Sequence, residues 1–150
     1  MTNSSRQINS ILLVDDDADE LDLFQDALVQ VKDSISLFYV QKCNMKKLRT
    51  IPKPDLIFLD INMPEYDGFD WLKSIREKVA EPIPVIMYST SRNPEKISLA
   101  QEFGANLFIT KPQSQEALVK TLDKVLQFDW SNPEQVTKEC MESNRFHVAY

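Results

Sequence analysis

Acidic, hydroxyl-bearing and cationic residues stand directly behind four of the five short apolar runs in this chain. Asp15-Asp16-Asp17 follows Ile11 to Val14, Asp60 follows Leu56 to Leu59, Ser89-Thr90-Ser91 follows Val85 to Tyr88, and Thr110-Lys111-Pro112 follows Leu107 to Ile109. Drawn together, these would place three carboxylates, a hydroxyl and an ammonium in one crevice. Carboxylates held at about 4 Å repel by about 1 kcal/mol per pair in water and by several times more when partly buried, so the cluster calls for a cation. With neither His nor Cys nearby, the oxygen-only donor set suits a hard ion such as Mg2+, which shares its coordination sphere readily with a phosphoryl group. The plainer reading of Asp15 to Asp17 is helix capping, which is the role expected of Asp17; for Asp15 and Asp16 both roles stand open.

The elements that would bring these residues together can be read from periodicity. The four runs above and Ile35 to Val40 are strand candidates. Between and after them lie stretches with helical spacing: Leu21, Phe24 and Leu28; Met45 and Leu48; Phe69, Leu72 and Ile75; Ile97 and Ala100; and Leu118, Leu122, Val125 and Leu126. Near-continuous apolar strands alternating with amphipathic helices specify a parallel sheet covered on both faces, because parallel strands need a crossover and the crossover is usually a helix. Five such units make a doubly wound α/β domain, in which function gathers outside the carboxyl ends of the strands. Asn93-Pro94-Glu95 is a helix start, with a capping Asn, Pro in the first helical position and an acid at the positive helix end. Asn132-Pro133-Glu134 repeats it and predicts a short further helix from about Pro133 to Met141. The expected division is a domain over residues 1–130, with its core over 8–128, and an extension over 131–150 made of that helix and a loose end.

Composition narrows the function classes. The chain has 150 residues, the usual size of one domain, and 43% apolar with 27% charged residues is ordinary for a globular fold. Asp and Glu outnumber Lys and Arg by 23 to 17, and the resulting net charge of -6 opposes binding to nucleic acid or anionic lipid. No apolar run approaches the length of a membrane span or a signal-peptide core, so a cytoplasmic location is expected. Cys43, Cys140 and the lone His147 form neither a disulfide framework nor a metal-ligand pattern.

Taken in order, Val14-Asp15-Asp16, the block Asp60-Ile61-Asn62-Met63-Pro64-Glu65-Tyr66-Asp67-Gly68, Pro84-Val85-Ile86-Met87-Tyr88-Ser89 and Lys111-Pro112 resemble the receiver-domain signature of two-component response regulators. The resemblance covers roughly residues 8 to 128. It implies a flavodoxin-like sheet of five strands in the order 2-1-3-4-5 with five flanking helices. It also implies that Asp60 is the phosphoacceptor, that Asp15, Asp16, Asp60 and the backbone carbonyl of Asn62 hold Mg2+, and that Lys111 pairs with the phosphoryl oxygens. Ser89 takes the hydroxyl position that reports phosphorylation, and Phe108 the aromatic position that responds to it. The implied partners are a sensor histidine kinase or phosphotransfer protein as donor and a target protein of unknown identity. The protein would be a regulatory phosphoacceptor that assists its own phosphorylation and dephosphorylation, not an enzyme. Three positions depart from the usual pattern: Ser89 replaces a commoner Thr, Thr90 a small residue, and Gln113 an apolar one.

Three rivals fit less well. An aspartyl-phosphate phosphatase using Asp15 and Asp17 as a D-x-D pair requires Thr or Val where Asp19 stands, and usually a longer chain. A flavin-binding domain of similar topology needs a hydroxyl- and glycine-rich phosphate loop where Asp15-Asp16-Asp17 would repel the ligand. A degenerate receiver is disfavoured because every site position carries a workable group. The absence of a basic helix-turn-helix segment points to output through protein contacts, with a relay intermediate or phosphate sink as the alternative. A looser likeness to single-domain receivers that work beside phytochrome-type kinases makes a homodimer through the fourth and fifth helical units one candidate assembly.

Overall fold

The computed structural model describes residues 8–41, 50, 52–60, 68–78 and 83–148. Five apolar runs form the strands β1 (Ser10–Val14), β2 (Ser36–Val40), β3 (Leu56–Leu59), β4 (Val85–Ser89) and β5 (Leu107–Thr110). Every neighbouring pair is parallel and the order β2-β1-β3-β4-β5 is the expected one. The four inner strands are buried along almost their whole length, and alternation sorts their side chains between two cores. Ile11, Leu13, Leu56, Phe58, Ile86, Tyr88, Leu107 and Ile109 face one. Leu12, Val14, Ile57, Leu59, Val85, Met87 and Phe108 face the other.

The helices among the described residues are α1 (Ala18–Val31), α2 (Gly68–Lys78), α3 (Pro94–Glu102), α4 (Gln115–Gln127) and α5 (Pro133–Glu142). The expected helix around Met45 and Leu48 lies outside the described residues. α1 and α4 pack side by side, and Phe24, Leu118 and Leu122 fill the first core with an edge-to-face cluster of Phe24, Phe58 and Tyr88. α2 and α3 cover the second core through Phe69, Leu72, Ile75 and Ala100. The caps follow the sequence signals: Asp17, Asn93, Ser114 and Asn132 each accept a backbone N–H of the first turn.

α3 ends in a Schellman motif, with Gly104 N donating to Gln101 O and Ala105 N to Ala100 O while Gly104 adopts φ +92°. A Cβ there would sit 3.3 Å from Arg76 Nε, whose guanidinium donates to Gly104 O, Ile83 O and Asn106 Oδ1. Gly104→Ala is therefore expected to cost about 1–2 kcal/mol from the left-handed backbone alone, read as a lower denaturation midpoint with an unchanged slope.

The tail departs from expectation. Beyond α5, within the expected loose end, the described residues rejoin the sheet: the chain turns at Asn144 (φ 59°) and lays a sixth strand, β6 (His147–Val148), parallel on the outer edge of β5. A two-residue strand carries no readable period, and the burial of Phe146 against the second core, the packing of Val148 against the first and the open backbone edge of β5 favour it. Asn106, just before β5, anchors the helix above. Its side-chain N–H groups reach Pro133 O and Thr137 Oγ1, and its Oδ1 accepts from Val85 N and Arg76.

Candidate phosphoacceptor site

Strand order reverses between β1 and β3, and the residues ending these strands sit at the crevice where α/β sheets of this kind place their ligands. The backbone fixes them: Asp15 N donates to Val40 O, Asp60 N to Val14 O, and Lys111 N to Ser89 O at 2.7 Å. Asp15 is fully buried and Asp60 nearly so. Carboxylate oxygens of Asp15, Asp16 and Asp60 all lie within 4.8 Å of one another.

Lys111 crosses from β5 into this cluster. Its Nζ lies 2.7 Å from Asp15 Oδ2, 3.5 Å from Asp60 Oδ2 and 3.8 Å from Glu20 Oε1, with the Tyr88 ring 5.5 Å away on another side. Burial works against its charge, but the hydrogen bond to Asp15 and the fields of Asp60, Asp15 and Glu20 outweigh it, and the ammonium is held above its ordinary pKa. Asp15 has a second duty, since its Oδ1 accepts Asp17 N at 2.9 Å. The helix cap itself is Asp17, and Asp15 holds the N–H of that cap residue rather than one of the helix's own first turn.

Ser89 is buried at the last position of β4, in register with Thr110, and its Oγ accepts Ser91 N. Thr90 beside it is exposed. Phe108 is fully buried, edge-on to the His147 ring at 5.5 Å. Asn62 lies outside the described residues, as do residues 61–67 of the motif block.

Two residues of the crevice were not singled out from the sequence. Tyr39 on β2 donates its hydroxyl to Asp15 O at 2.6 Å. Glu20, in the first turn of α1, adds a fourth carboxylate beside Lys111. The signal was present for Glu20: three positions past a capping Asp, a side chain points back towards the strand end. Burial raises its pKa; Lys111 lowers it, and Asp15, Asp17 and Asp60 raise it further. The folded chain therefore holds the Glu20 proton more tightly than the unfolded chain does, so its ionisation opposes folding at neutral pH and this penalty fades as the pH falls through the carboxylate range. Glu20→Gln should raise the melting temperature of the metal-free protein at pH 7, and the gain should shrink towards pH 4.

The response regulator receiver domain model matches residues 11–123, three-quarters of the chain. The chain belongs to this family. The receiver is 36% identical over 119 residues to a protein-glutamate methylesterase/protein-glutamine glutaminase of Trichodesmium erythraeum, covering 77% of this chain and 33% of that protein. The chain spans about a third of the length of the first curated relatives it matches. The response regulator Rcp1 of Synechocystis is 27% identical, with 85% of this receiver and 93% of Rcp1 covered. Its Mn2+-bound structure superposes with a TM-score of 0.67 at 26% identity, over 83% of this chain and 96% of that one. The phosphorylated cyanobacterial phytochrome response regulator RcpA gives 0.72 at 29% identity, over 83% and 95%. Among the described residues no helix is long and apolar enough to cross a membrane.

Proposed function

We propose that this receiver is a response regulator in which Asp60 takes a phosphoryl group from a phosphohistidine of a sensor kinase or phosphotransfer protein, and that the modified state changes its affinity for a target protein. The observation that carries this reading is the placement of one ammonium, Lys111, within 3.5 Å of Asp60 and 2.7 Å of Asp15 in a nearly dry crevice. An Asp60 oxygen attacks phosphorus, the P–N bond breaks, and the electron pair leaves with the donor imidazole, which gains a proton. Such a transfer depends on positioning and on neutralising the phosphoryl oxygens.

The oxygen donors fit a hard divalent cation: Asp15, Asp16 and Asp60, together with the Asn62 carbonyl implied by the family signature, would hold Mg2+. When bound, that ion supplies positive charge beside the phosphoryl oxygens. The Mn2+-bound form of Rcp1 supports a cation in the same fold. Lys111 exchanges its Asp15 contact for the phosphoryl group, Ser89 donates its hydroxyl to it, and Phe108 repacks in response. Lys111, Ser89 and the Asp60 carboxylate are thus the groups that meet the phosphoryl, and Phe108 is the reporter behind them.

Incubation with acetyl phosphate and Mg2+ should add one phosphoryl mass to the intact wild-type chain and none to Asp60→Asn, and chelation of Mg2+ should prevent the gain. A gain of equal size in Asp60→Asn would overturn the assignment.

A further inference from the structure

The backbone ladder that holds β6 is short. It pairs only Phe108 with His147 and Ile109 with Val148, and it is preceded by one backbone bond from Phe108 N to Phe146 O at 2.9 Å. A side-chain contact adds to these: Thr110 Oγ1 lies 2.7 Å from His147 Nε2. Thr110 is 5% exposed and has one proton, which it donates to Ser91 O at 2.9 Å. Its oxygen can therefore only accept from His147, so Nε2 carries a proton in this state. Burial, and then the charge of Arg92, lower the His147 pKa and favour the neutral ring.

Ser91 belongs to the loop after β4 and is tied to the crevice, because its N–H donates to Ser89 Oγ at 3.2 Å. A continuous chain of contacts thus runs from Ser89 through Ser91 and Thr110 to His147. We infer that the C-terminal strand is a latch that reports phosphorylation, with Thr110 as the relay between the β4 loop and β6. This rests on the reading of Ser89 as the hydroxyl that turns to the phosphoryl group.

The direction follows from counting donors. When Ser89 turns to the phosphoryl, Ser91 N loses its acceptor and the loop shifts, which takes Ser91 O away from Thr110. The Thr110 hydroxyl is then buried with a proton and no acceptor, a costly state. Turned towards the tail it meets His147 Nε2–H, donor against donor, and the ring can answer only by moving its proton to Nδ1 or by leaving. Moving β6 off the edge of β5 removes that conflict and lets the partly buried His147 reach water. Phosphorylation is accordingly expected to release β6 and open the edge of β5, together with the Phe108 face behind it.

Amide exchange at Phe108, whose N–H is held by Phe146 O, tests this, with acetyl phosphate and Mg2+ as the phosphorylating mixture and intact mass as the measure of occupancy. Exchange in the phosphorylated wild type should accelerate roughly five- to tenfold, the effect of losing one hydrogen bond from so short a ladder. Thr110→Val and His147→Phe each delete one side of the contact; both should exchange fast without phosphate and gain little on phosphorylation. The inference is overturned by a fully phosphorylated wild type whose exchange at Phe108 is unchanged. It is equally overturned by a Thr110→Val chain that keeps the whole phosphorylation-dependent acceleration. If no phosphate is taken up, the phosphoacceptor reading fails and the coupling with it, whereas the latch contact is still decided by the unphosphorylated chains: equal exchange in wild type and both variants refutes it.

Discussion

Asp16→Ala should weaken Mg2+ binding by roughly a hundredfold to a thousandfold while leaving the fold intact. The carboxylate lies within 4.8 Å of those of Asp15 and Asp60 and is only partly buried, so its removal deletes a ligand without opening a cavity. Even at the dielectric constant of water, one carboxylate about 2 Å from a divalent ion is attracted by roughly 4 kcal/mol, and partial desolvation offsets some of this. The same removal relieves repulsion in the metal-free state, where Asp16 shares the crevice with Asp15, Asp60 and Glu20. Calorimetric titration with Mg2+ measures the first effect and thermal melting in chelator the second. A lower melting temperature without metal would instead make Asp16 a structural cap.

Trp130→Ala is expected to destabilise the protein by about 3–5 kcal/mol, the range for removing a fully buried aromatic side chain. Trp130 is 0% exposed, packs edge-on to Phe128 with ring centres 5.8 Å apart, and donates Nε1–H to Val125 O at 2.8 Å. It shares the first core with Val136 and Cys140 of α5. Equilibrium urea denaturation reads the loss as a shift of the whole transition. A loss below 1 kcal/mol would show that the segment after α4 is an appendage that the domain does not need. Truncation after residue 130 should be costly for the same reason, since it uncovers Trp130 and removes Val136, Cys140 and Phe146 from the two cores.

These two sites differ in how far the sequence foretold them. Strand ends were legible because β1, β3, β4 and β5 are apolar runs that stop at a polar residue, and the common direction of parallel strands then brings those ends to one edge. Asp15, Asp60, Ser89 and Lys111 could be located from this alone. The helix at Pro133–Glu142 was legible because Asn132-Pro133 is a local signal that acts through two adjacent residues. The docking of the tail was not, since it depends on pairings between residues about 30 to 40 apart: Asn106 with Thr137, Thr110 with His147, Phe108 with Phe146. A single Asn before a strand or a lone His near a chain end has no period and no motif to mark it. Glu20 lies between these cases, because its place in the first turn of α1 is local while its meeting with Lys111 spans the whole domain.

The identity of the modified atom tests the account most directly. An aspartyl phosphate is an acyl phosphate, which borohydride reduces to the alcohol, and peptide mass analysis then marks the residue that carried it. After treatment with acetyl phosphate and Mg2+, Asp60 alone should be converted to homoserine, and the conversion should disappear when Mg2+ is chelated. Reduction found at Asp15 or Asp16 with Asp60 unmarked would contradict it.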